Sequence, residues 1–116
     1  MSSTEKSEMT WLEANQRMAA WFSKRDGSRW EADKFFYKIM LLEKNGCSHY
    51  GIPWFSRDLG SMERIESKMT DAEKKAYVKR LCGGKRSDEA IQKAALANSF
   101  QRFVAAMHVL GLLKNE

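Results

Sequence analysis

The chain has little of several residue types: one proline, two cysteines and two histidines among 116 residues. Cys47 and Cys82 are too few for a disulfide framework, so two reduced thiols are expected. With His49 and His108 they would make a Cys₂His₂ set, but zinc sites carry paired ligands at close spacing and only Cys47 and His49 are close. No metal and no other cofactor is therefore expected. No apolar run approaches the roughly 20 residues that cross a bilayer, and Met1–Thr10 is polar, without the apolar core of a signal peptide. The expectation is a soluble, cytoplasmic protein without a membrane partner. There is no Gly-x-Ser-x-Gly elbow and no glycine-rich phosphate loop, and neither histidine sits in a catalytic partner pattern. Glu63 with Glu66, and Asp71 with Glu73, fall at helix starts or on polar faces where solvated carboxylates belong. An enzyme is not expected.

What is present is enough for one core. Hydrophobic residues make up 43% and aromatics 11%, which predicts a single domain over 10–113, a frayed or disordered 1–9 and a short tail at 114–116. The formal net charge of +5 permits an anionic partner without requiring one, because 20 basic residues face 15 acidic ones and most can balance locally.

Three stretches place a hydroxyl residue three positions before a glutamate: Thr10 to Glu13, Ser28 to Glu31 and Thr70 to Glu73. In each, the two side chains can satisfy backbone donors reciprocally, which marks a helix start. The first helix is expected from Trp11 to Ser23, with Trp11, Ala14, Met18, Trp21 and Phe22 inward and Gly27 as its stop. A second, central helix is expected after Ser28, carrying Phe35, Phe36, Ile39, Met40 and Leu42 as far as Asn45-Gly46, with a buried strand as the alternative for Phe35–Leu42. Pro53 biases Ile52 toward an extended conformation, so a stiff apolar arm should lead into a third helix, capped by Ser56 and striped by Leu59, Met62, Ile65 and Met69. A fourth helix should follow Thr70 and end at Gly83-Gly84, with Tyr77, Val78 and Leu81 inward. Ser87 can cap a fifth segment with Ile91, Ala94 and Ala95 inward. Phe100, Phe103, Val104, Met107 and Leu110 then stripe a last helix that ends at Gly111. The predicted fold is mostly α: a compact bundle of five or six short helices, with room for a minor two-stranded element.

Two stretches resemble a known family. Ile52-Pro53-Trp54-Phe55-Ser56-Arg57-Asp58-Leu59 with Met62-Glu63 behind it, and Ala97-Asn98-Ser99-Phe100-Gln101-Arg102-Phe103-Val104 with Leu110-Gly111-Leu112, resemble small bacteriophage and prophage proteins grouped as the phage ABA sandwich domain. Together they cover about a third of the chain. The family's middle region carries strands, whereas Thr70–Leu96 reads here as helix. The resemblance implies a phage or prophage origin and no catalytic residues. Small phage proteins of this kind often inhibit host machinery, including defence systems such as CRISPR–Cas.

Two surfaces are candidate contacts. Between Lys74 and Arg86 the chain has six cations and no acid: Lys74, Lys75, Lys79, Arg80, Lys85 and Arg86. Lys75, Lys79, Arg80, Lys85 and Arg86 could meet phosphates or an acidic groove, although a solvated face is the plainer reading and the aromatic within the stretch, Tyr77, is placed inward rather than as a single-strand platform. The segment from Gly46 to Phe55 is too apolar for an ordinary loop, so Tyr50 and Trp54 either pack inward or form a contact surface. The expected function is a non-enzymatic inhibitor that binds a host protein or ribonucleoprotein. The alternative is a nucleic-acid-binding accessory or regulatory protein using the basic cluster. A helix-turn-helix regulator is disfavoured, because no helix after a tight turn has a polar, base-reading start.

Overall fold

The computed structural model describes residues 9–43, 48–83, 89, 92 and 96–113. The chain runs through α1 (Trp11–Asp26), β1 (Arg29–Asp33), β2 (Lys38–Leu42), β3 (Ser48–Pro53), a 3-10 turn (Phe55–Arg57), α2 (Leu59–Ser67), α3 (Asp71–Leu81) and α4 (Ser99–Val109). Among the described residues this is a mixed fold of four α-helices and a three-stranded antiparallel sheet ordered β1-β2-β3. It corrects the expected mostly α bundle. Ser87, Ile91, Ala94 and Ala95 of the anticipated fifth helix lie outside the described residues.

The largest departure lies between Ser28 and Leu42, where a helix was expected and a β-hairpin stands. Gly27 adopts φ 81° and donates its N–H to the Ser23 carbonyl at 2.8 Å, closing α1 with a left-handed cap that glycine adopts without strain. The chain then leaves extended, and Trp30 N–H donates to Ser23 Oγ at 2.7 Å. Trp30 and Ala32 on β1, Ile39 on β2 and Ile52 on β3 are buried, with Leu41 packed against them. That is a period of two. Phe35 and Phe36, which completed the helical spacing with Ile39 and Met40, belong to the turn between β1 and β2. Without them Ile39–Leu42 is a short apolar run whose period cannot separate strand from helix. The strand alternative is what the structure adopts from Lys38 onward.

In the sheet, Ala32 pairs with Ile39, Ile39 with Ile52, and Met40 with Gly51. A Cβ on Gly51 would come 2.7 Å from Met40 Sδ, so the thioether lies across the glycine. Pro53 ends β3, an edge strand, where proline is tolerated.

The core joins Met18, Ala19 and Phe22 of α1 to Trp30, Ile39 and Ile52 of the sheet, and to Met62, Ile65, Phe103 and Met107 of the later helices. Phe55 is fully buried and meets Phe22 edge-on, with ring centroids 6.1 Å apart. Trp11, Leu59, Val78 and Phe100, expected inward, are instead exposed. The cap of α2 also moves: Asp58, not Ser56, accepts the Ser61 N–H at 2.9 Å. Ser56 is held by the buried Asn15, whose Nδ2 donates to Ser56 Oγ at 3.1 Å and to the Trp11 carbonyl at 2.9 Å. Ser61, also buried, donates its hydroxyl to the Pro53 carbonyl at 2.8 Å and so ties β3 to α2. The reciprocal box expected at Thr70 forms with Glu73. At Thr10 the hydroxyl accepts the Glu13 N–H as expected, but the Glu13 carboxylate turns to Arg17, and Asn98 adds a reciprocal box with Gln101 at the start of α4.

Candidate binding surfaces

The turn Lys34–Tyr37 is a pinned aromatic tip. Asp33 Oδ1 accepts the Phe35 N–H at 2.8 Å, an Asx-turn that fixes the way in. Tyr37 sits at φ 52°, a left-handed conformation rare for an aromatic residue, and fixes the way out. Its carbonyl accepts the Trp54 N–H at 2.8 Å, and its ring meets the Trp54 ring in a T-shape at 4.9 Å. The Arg57 guanidinium lies 4.6 Å from the Tyr37 centroid. Backbone, ring and cation thus hold one end of the tip to the chain that leads into α2. At the apex Phe35 is 78% and Phe36 71% exposed. Lys34 Nζ lies 5.4 Å from the Phe35 centroid, and Lys34, Lys38 and Arg57 are all exposed.

Trp54 is 4% exposed. Its ring therefore supports the tip from below and offers no contact area of its own, while its Nε1 is a buried donor with no hydrogen-bond acceptor among the described residues. The backbone of Tyr50 lies in β3, opposite Leu41; its side chain lies outside the description.

The basic cluster divides. Lys74, Lys75, Lys79 and Arg80 are exposed on α3, whereas Lys85 and Arg86 lie outside the described residues. Arg80 and His108 rim a groove of about 370 Å³ between α3 and α4, floored by Leu81, Ala97, Val104 and Ala105. The His108 imidazole is held below its ordinary pKa by partial burial first and by the Arg80 charge second. No group of three metal-ligating side chains occurs among the described residues. Cys82 is buried at the end of α3 and His108 is exposed on α4, while Cys47 and the His49 side chain lie outside the description.

The other perturbed groups belong to ties between elements. Arg25 forks onto Glu73, with Nη2 2.8 Å from Oε2, and also donates to the Lys68 carbonyl at 3.0 Å. This pairing raises the arginine's pKa and lowers the carboxyl's. Asp26 is held low chiefly by the Trp30 indole N–H at 3.0 Å, aided by Ser28 and Lys68. Tyr77 donates to Glu66, which Arg102 also contacts at 3.2 Å. Burial and that carboxylate push the phenol well above the usual tyrosine range.

Sequence reasoning missed the tip because it placed Phe35 and Phe36 in a helix core. The available signal was the alternation Trp30, Ala32 and then Ile39, Leu41 around Asp33, without the glycine or asparagine that usually announces a hairpin. No family model, curated protein or solved structure matches the chain. Among the described residues, no helix is long and apolar enough to cross a membrane.

Proposed function

We propose that this chain is a non-enzymatic protein of phage or prophage origin, acting in the cytoplasm of a host bacterium, that binds a host macromolecule and inhibits it. An anti-defence inhibitor of the anti-CRISPR type is the form this takes. One observation carries the binding role: two phenylalanines stand largely exposed on a turn held at both ends. An exposed aromatic pair has an aqueous cost that folding does not repay, and a preorganised one loses little entropy when a partner covers it. The residues that resemble the phage family support the origin. The partner is a host protein or ribonucleoprotein. Lys75, Lys79 and Arg80, exposed on α3, support a second reading as a nucleic-acid-binding accessory or regulatory protein.

The test is affinity capture from host lysate, with and without nuclease, using the native chain and Phe35→Ser/Phe36→Ser. Stoichiometric retention of a host component by the native chain, lost in the variant at unchanged melting temperature, is the expected result. Equal retention by both would remove the tip from the function.

A further inference from the structure

We propose that the hairpin tip is a stacking platform for single-stranded nucleic acid. The inference rests on the reading of the tip as the binding end and names the chemistry of what it binds. A single strand alternates flat rings with phosphate charges, and proteins that hold one pair aromatic faces with nearby cations. The tip sets three aromatics between two lysines, Lys34-Phe35-Phe36-Tyr37-Lys38. The Lys34 ammonium lies over the Phe35 ring, 5.4 Å from its centroid, and the Arg57 guanidinium over the Tyr37 ring at 4.6 Å, so each covers one ring face. Phe35 and Phe36, the most exposed rings of the tip, are left for bases, with positive charge beside them for phosphates. The carboxylate next to the turn, Asp33, is engaged with the Phe35 N–H. Phenylalanine has no hydrogen-bonding group to read a base edge, so the contact should be tolerant of sequence. In the α3 cluster the aromatic between the lysines, Tyr77, is buried, whereas the hairpin presents its aromatics to solvent.

The probes are fluorescein-labelled U15, dT15 and a 15-base-pair DNA duplex, titrated with the purified full chain and followed by fluorescence anisotropy. Both single strands should bind more tightly than the duplex. Phe35→Ser/Phe36→Ser should weaken single-strand affinity by at least about tenfold, the loss of one or two stacked bases, with no change in melting temperature. Lys34→Glu/Lys38→Glu should also weaken binding and flatten the dependence of log K on log salt by about 1.4, the contribution of two phosphate contacts. Tighter binding of U15 would assign RNA and tighter binding of dT15 would assign DNA; either supports the inference. Failure of both single strands to bind, or affinity indifferent to the serine pair, would overturn it. If a nuclease-resistant host protein is still captured through Phe35 and Phe36 while neither oligonucleotide binds, this inference fails and the binding function stands. If capture is also unaffected by the serine pair, both fail.

Discussion

Asn15 is a polar side chain at the centre of an apolar contact, and its bonds explain why it is there. Its amide reaches the Trp11 carbonyl within α1 and Ser56 across 41 positions of sequence, while its Oδ1 accepts the Ser56 N–H at 3.4 Å. Replacing Asn15 with alanine would leave the Ser56 hydroxyl and N–H without those partners, and should cost about 1–3 kcal/mol in urea denaturation. Trp54 is the apolar counterpart. It is buried beneath Tyr37, so Trp54→Ala removes a large ring from the core and should cost roughly 3–5 kcal/mol. The same truncation would loosen the Tyr37 end of the hairpin, so partner affinity should fall along with the melting temperature. A variant with wild-type melting would show that the ring supports neither.

Among the elements, the joint between α1 and the α2–α3 corner depends on two carboxylates. Glu73 is held low by Arg25, and Asp26 by the Trp30 indole with help from Ser28 and Lys68. Both native carboxyls bind protons less readily than in the unfolded chain, where ordinary values are 4.5 and 3.8. Their stabilisation is therefore complete above about pH 5 and is lost as pH falls through the depressed native values. Melting temperature followed from about pH 6 to pH 3 should decline, and Glu73→Gln should flatten that decline by removing one of the two titrations. An identical slope in the variant would mean that other carboxylates set the acid limit. The capping signals at Thr10 and Thr70 were legible in the sequence because a cap is local: a hydroxyl meets a backbone donor within one turn, and at Thr70 the Glu73 carboxylate reciprocates. Ser28 carries the same signal and fails, because Gly27 has already ended α1 and the Ser23 hydroxyl draws Trp30 into a strand. The stripe Met62, Ile65, Met69 was legible for the same reason of period. The tip was not legible, since its stability comes from Trp54 and Arg57, about twenty positions further along the chain.

At the scale of the whole molecule, charge and contact should separate kinetically. The net charge of +5 acts on an anionic partner over a Debye length, whereas Phe35 and Phe36 act only on touching. Lys75→Glu/Lys79→Glu takes two units per site from an exposed face of α3, bringing the net charge from +5 to +1. Surface changes of this kind usually move stability by less than about 0.5 kcal/mol, so the fold should be intact. In stopped-flow binding of U15, this variant should associate more slowly at about 0.01 M salt, where the Debye length is ~30 Å. Its deficit should shrink by about 0.15 M, where that length is ~8 Å. The serine pair at the tip should instead raise the dissociation rate, and by a similar factor at both salt concentrations, because stacking is not screened. A lysine-reversal deficit that stays constant with salt, and lies in dissociation, would place Lys75 and Lys79 in direct contact with the strand and make α3 part of the binding surface.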